Sequence, residues 1–105
     1  MKTENNKINY YYEIFDNMLI IYQMYVDKAH QRKGYGTSFF KELENLALKS
    51  NCNEMRVISE LTKIALSFWL KNGFNTDCDD NKEIINFVLD SKNLKGFVKL
   101  YKNIK

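Results

Sequence analysis

The sequence predicts a mixed α/β (α+β) fold, with a mostly antiparallel sheet built around a central parallel strand-helix-strand unit. Three observations predict it. The β-favouring runs "INYYYEIF" (Ile8 to Phe15) and "MLIIYQMYV" (Met18 to Val26) flank a tight Asp16-Asn17 turn, which is the pattern of a hairpin. A helical segment from Thr37 to Ser50 then leads into a short strand, "EMRVISE" (Glu54 to Glu60), and joining strands this way requires parallel neighbours and a right-handed crossover. The tail offers two further β-like runs, "IINFVL" (Ile84 to Leu89) and "FVKLYKNI" (Phe97 to Ile104), which read as a closing antiparallel hairpin.

Taken in order, the first seven residues are polar and are expected to fray. Met18 to Val26 is apolar on both alternating faces and broken only by Gln23, so it is expected at the centre of the sheet, covered on both sides. The segment Thr37 to Ser50 places Phe39, Phe40, Leu43, Leu46 and Ala47 on one stripe. Lys41, Glu42, Glu44, Asn45 and Lys49 lie opposite, which is the pattern of an amphipathic helix. Thr62 to Asn72 reads as a second helix, with Leu61, Ala65, Phe68 and Trp69 to one side and Gly73 where a C-terminal glycine belongs. The expected order is strand, strand, helix, strand, helix, strand, strand. There is no proline, repeat or linker-like stretch, so residues 1–105 read as a single domain.

Composition narrows the function classes. With 45% apolar, 14% aromatic and 28% charged residues, the chain has the make-up of a folded protein rather than a disordered tail. No apolar run approaches the roughly 18 to 20 residues that span a bilayer, and "MKTENNKINY" lacks the apolar core of a secretory signal. No membrane association is expected, and the cytoplasm is the expected location. Two cysteines, Cys52 and Cys78, make neither a disulfide scaffold nor a metal set, so no metal is expected. A formal charge of +3 suits a small anionic ligand as well as a nucleic acid and separates neither. Within "NYYYEIF", Tyr10 and Tyr12 share one side of a strand and Tyr11 takes the other, which favours packing in the core or across a homodimer over a stacking platform for nucleic acid.

The most informative stretch is "HQRKGYGTSFF", His30 to Phe40. A loop entering a helix leaves amide hydrogens without partners, and the helix dipole adds partial positive charge there. Gly34 and Gly36 remove the Cβ atoms that would hold a diphosphate away from the backbone. Arg32 and Lys33 add attraction, and Thr37 offers a hydroxyl. The loop matches neither G-x-x-x-x-G-K-[ST] nor G-x-G-x-x-G, since Phe39 stands where the third glycine would be. A turn into the helix and an anion cradle both satisfy the loop taken alone.

The segment Val26 to Gly36, "VDKAHQRKGYG", resembles the Q/R-x-x-G-x-G/A signature of the GCN5-related N-acetyltransferases, the GNAT superfamily. Downstream, "ALSFWLKNGF" (Ala65 to Phe74) is similar to that family's A-x-x-x-(Y)-x-x-x-G-F helix and turn. The resemblance covers roughly Met18 to Ile104 and lacks the family's usual first strand and the two helices after it, so it describes a compact member. It implies a GNAT-like sheet with a V-shaped splay between its parallel strands, and acetyl-CoA as acyl donor. By the same resemblance, Gln31, Arg32, Lys33, Gly34, Tyr35, Gly36 and Thr37 would hold the pyrophosphate. The main chain of Met24 and Val26 would bond the pantetheine, and Phe68, Trp69 and Lys71 would border the CoA arm.

The implied activity is N-acetyl transfer from acetyl-CoA to an amine acceptor, either a protein lysine or N-terminus or a small amine. The chain departs from the family at two places. Trp69 stands where a tyrosine often supplies the acid for the leaving thiolate, and an indole N–H cannot serve as that acid. Leu19 to Val26 also contains no carboxylate, which leaves Glu60 as the candidate base or, alternatively, as a solvated carboxylate capping the next helix. These departures keep a second reading open: a weak or inactive GNAT-fold protein that binds CoA or a protein partner.

Overall fold

The computed structural model describes residues 2–4, 8–26 and 34–105. The chain divides into two compact units, Met1–Met55 with Asn103–Lys105, and Arg56–Lys102.

In the first unit, β1 (Lys2–Glu4), β2 (Ile8–Phe15) and β3 (Met18–Val26) form an antiparallel meander followed by α1 (Tyr35–Lys49). The β2–β3 turn is tight because Asp16 and Asn17 both take positive φ, 52° and 62°, as a two-residue hairpin loop of the favoured twist requires. Lys2 to Glu4, inside the stretch expected to fray, pairs instead with Asn9 to Tyr11. The ladder between β2 and β3 slips at Tyr11/Tyr12, so that Tyr11 faces Gln23 while Tyr12 faces Ile21 and Tyr22 is the extra residue of a bulge.

The alternation expected for the tyrosines holds. Tyr10 and Tyr12 stack at 6.1 Å, and Tyr10 meets Phe39 of α1 at 4.3 Å, whereas Tyr11 turns to Tyr22. Helix α1 buries Phe40, Leu43 and Ala47 from the predicted stripe. It ends in a Schellman motif: Asn51, at φ 61°, donates to the Leu48 carbonyl and Cys52 donates to that of Ala47. Covering of β3 on both sides is not what forms. Leu19 and Ile21 are buried, but Tyr22 and Tyr25 are 40% and 50% exposed. A tyrosine tolerates this because its hydroxyl stays wet while its ring covers the strand.

The second unit contains most of β4 (Glu54–Glu60), α2 (Lys63–Lys71), α3 (Asp79–Asp90) and most of β5 (Phe97–Asn103). β4 and β5 are hydrogen-bonded neighbours. Bonds from Ile104 to the Asn53 carbonyl and from Leu61 to the Gly96 carbonyl tie the start of each strand to the end of the other, so the two run antiparallel. The apolar centre of this unit includes Val57, Leu66, Trp69, Phe74, Ile85, Val88 and Leu100.

The closing hairpin expected from "IINFVL" does not form, because those residues lie in α3. Asp79 and Asp80 in its first turn favour the positive end of the helix dipole, and Ile85 and Val88, three apart, share the buried face. Ile84 and Phe87 are 38% and 46% exposed, a spacing no half-buried strand would give. The observed order is therefore strand, strand, strand, helix, strand, helix, helix, strand.

Candidate functional site

The glycine-bearing loop opens α1. Gly34 is the N-cap residue, with φ 81° and ψ 3°, a left-handed conformation that L side chains rarely adopt. A Cβ built there meets nothing within 4 Å among the described residues. The Gly34 carbonyl accepts the Ser38 N–H at 3.0 Å, which starts the helical ladder. The first turn, Tyr35, Gly36 and Thr37, carries no acidic residue and receives no side-chain cap from Gly34. The positive end of a fifteen-residue helix without an acidic first turn suits an anionic group such as a diphosphate. Gln31, Arg32 and Lys33, and His30 before them, lie outside the described residues. Met24 and Val26, expected to offer main-chain groups, are half-buried near the end of β3.

In the second unit, α2 is built between two well-defined caps. Thr62 Oγ1 accepts the Ala65 N–H at 3.2 Å, so Thr62 is the N-cap. Glu60, one of whose readings was a cap for this helix, is exposed at the last position of β4, and its carbonyl accepts the buried Ser59 hydroxyl at 2.9 Å. Sequence reasoning missed Thr62, although a threonine just before the helical run is the signal for it. At the other end Gly73, φ 94°, donates to the Leu70 carbonyl and Phe74 donates to that of Trp69, a second Schellman motif. Its hydrophobic contact is the edge-on packing of Trp69 against Phe74 at 5.3 Å. Lys102 Nζ donates to the Asn72 carbonyl at 2.9 Å and adds a cation where the helix end favours one.

The "NGF" turn is thus explained by helix termination. Of the residues expected to border a CoA arm, Phe68 is half-buried and meets Trp69 at 4.9 Å, Lys71 is exposed in the last turn, and Trp69 is only 5% exposed. Among the described residues no cluster of His, Cys, Asp or Glu could hold a metal ion, and no helix is long and apolar enough to cross a membrane. Both cysteines are free, Cys52 buried and Cys78 exposed.

The elements describe a small mixed α/β protein with a glycine-led helix start, and the comparisons say which class this is. The acetyltransferase (GNAT) domain family matches residues 3–76, and the chain belongs to the GNAT superfamily. Its fold is shared with the PaiA N-acetyltransferase of Thermoplasma acidophilum, solved in complex with coenzyme A, at a TM-score of 0.69 and 20% identity over 92% of this chain and 53% of that one. An acetyltransferase from Bacillus cereus matches at 0.70 and 19% identity, over 99% of this chain and 71% of the other. Tetrahymena GCN5 matches at 0.70 and 16%, over 100% and 67%. The chain therefore spans just over half the length of the first of these. No functionally curated protein matches the chain.

Proposed function

We propose that the chain is an N-acetyltransferase that moves an acetyl group from acetyl-CoA to an amine acceptor, a protein lysine or N-terminus or a small amine. The observation that carries this is the start of α1, where a left-handed Gly34, its Cβ position clear of the described residues, opens a long helix in a chain of the GNAT superfamily. Gly34, Tyr35, Gly36 and Thr37 present the amide end that would hold the pyrophosphate, with Gln31, Arg32 and Lys33 preceding them in sequence. The main chain of Met24 and Val26 would bond the pantetheine, and Phe68, Trp69 and Lys71 would border the arm. When bound, acetyl-CoA supplies a thioester whose carbonyl an amine can attack and whose thiolate leaves.

Glu60 is the group assigned to take the acceptor's proton. It is exposed, and Thr62 already caps α2, so its carboxylate is not committed to the helix. The two free cysteines support a location in the cytoplasm, where thiols stay reduced.

One observation favours a second reading, in which CoA is bound with little turnover. Trp69 holds the position where a tyrosine acid is common, and it is packed between Phe68 and Phe74. Melting the protein with and without acetyl-CoA tests binding, and thiol release with amine acceptors tests turnover. Stabilisation with release establishes the transferase. Stabilisation without release for any amine class leaves the binder, and no stabilisation rejects both.

A further inference from the structure

In the first unit, β2 sends Tyr10 and Tyr12 toward α1 and Tyr11 and Glu13 to the opposite face. On that face the Tyr11 hydroxyl donates to Glu13 Oε1 at 3.2 Å, and the Tyr11 ring meets Tyr22 of β3 at 5.4 Å with the ring planes 76° apart. Tyr22 reaches this place because it is the extra residue of the bulge, whose partners Tyr11 and Tyr12 face Gln23 and Ile21. Bulges re-aim side chains in this way beside functional sites. Two nearly perpendicular rings make adjoining walls, and the Tyr11 hydroxyl anchors a carboxylate against them.

Glu13 is exposed, and the single described bond to Oε1 leaves most of its acceptor positions available. The bond also holds the Tyr11 phenol above its ordinary pKa, so it remains a neutral donor. Perpendicular aromatic walls with an anchored carboxylate are the chemistry that recognises an organic ammonium ion. A phosphate backbone would meet the charge of Glu13 instead, and simple packing would need no carboxylate among the rings.

We propose that Tyr11, Tyr22 and Glu13 form a docking site for the primary ammonium group of an alkylamine such as a lysine side chain. Its role as the place that first receives the charged acceptor rests on the acetyltransferase reading, whereas the binding itself does not.

The test uses the full chain with 13C-labelled tyrosine rings, titrated without acetyl-CoA with N-acetyl-lysine methylamide and, separately, with the same compound acetylated on its side-chain amine. The ammonium probe should shift the Tyr11 and Tyr22 ring signals saturably, and the neutral probe should not. Glu13→Gln and Tyr22→Leu should each weaken binding about tenfold, while Tyr22→Phe, which keeps the ring, should retain it. Amide spectra check that each variant is folded. Equal shifts from both probes, or affinity unchanged in Glu13→Gln and Tyr22→Leu, overturn the site. Saturable ammonium binding in a protein that acetyl-CoA fails to stabilise upholds the site and removes the transferase reading; stabilisation by acetyl-CoA without ammonium binding removes the site alone.

Discussion

Substituting Gly34 separates the two things that position does. Its φ of 81° is strained for any L residue, yet a Cβ there meets nothing within 4 Å among the described residues. Backbone strain alone therefore sets the stability cost of Gly34→Ala, roughly 1 to 2 kcal/mol. At about 4 to 8 °C per kcal/mol for a domain near this size, the melting temperature should fall by at least about 4 °C. Gly34→Asn carries less strain, since asparagine enters the left-handed region more readily, but it places a larger side chain over the helix start.

The ligand effect is read against each variant's own unliganded melt. Acetyl-CoA at about 100 times its dissociation constant stabilises the native state by roughly 2.7 kcal/mol, and a tenfold loss of affinity cuts this to roughly 1.4 kcal/mol. Differential scanning fluorimetry should show Gly34→Asn nearer the wild type than Gly34→Ala without ligand. With acetyl-CoA at that concentration, its increment should be about half the wild-type one or less. If the wild type is stabilised and Gly34→Asn gains as much, the diphosphate does not sit over this glycine and the reasoning fails.

Other expectations follow from single contacts. Thr62→Ala removes the cap on Ala65 and should cost about 1 kcal/mol in urea unfolding, with Thr62→Ser close to the wild type. Gly73→Ala meets both a φ of 94° and Lys102 Cε at 3.1 Å, so it should destabilise more than Gly34→Ala; the reverse order would mean that the Lys102 chain gives way without cost. A thiol reagent should modify Cys78 in the native protein and reach Cys52 only on unfolding, so fast labelling of two thiols would contradict the burial of Cys52. The hydrogen bond to Glu13 and its charge should make the Tyr11 phenol ionise above its ordinary value of 10.0, and Glu13→Gln should lower it toward that value in an absorbance titration. Because the folded-state value is the raised one, any stability from this bond is fully present below about pH 10 and is lost as the pH rises through the Tyr11 value.

Local chemistry was legible wherever neighbours along the chain decide the outcome. Asp16-Asn17 between two β-favouring runs could only be a tight turn. The stripe from Phe40 to Ala47 made a helix, and Gly73 ended one, because φ preference and helical period act within a few residues. The glycine at the start of α1 was legible for the same reason, since its left-handed φ belongs to the segment itself, whereas the loop alone fitted a turn as well as an anion cradle.

The expectations that failed depended on what lay across from the segment. "IINFVL" is a six-residue run, apolar except for Asn86, that is too short to show a period of its own, and only burial of Ile85 and Val88 on one side of α3 selected a helix. The apolar faces of β3 carried no record of which one would stay wet, since that depends on the elements packed against each. The bulge that brings Tyr22 beside Tyr11 could not be read either, because strand register is settled by cross-strand packing. Sequence alone determined the Asp16-Asn17 turn, the amphipathic stripe of α1 and the glycine that ends α2, which arise from backbone preferences and helical period among adjacent residues. Tertiary structure decided the identity of α3, the exposed face of β3 and the Tyr11–Glu13–Tyr22 corner, because each depends on which distant side chains meet and which remain in water.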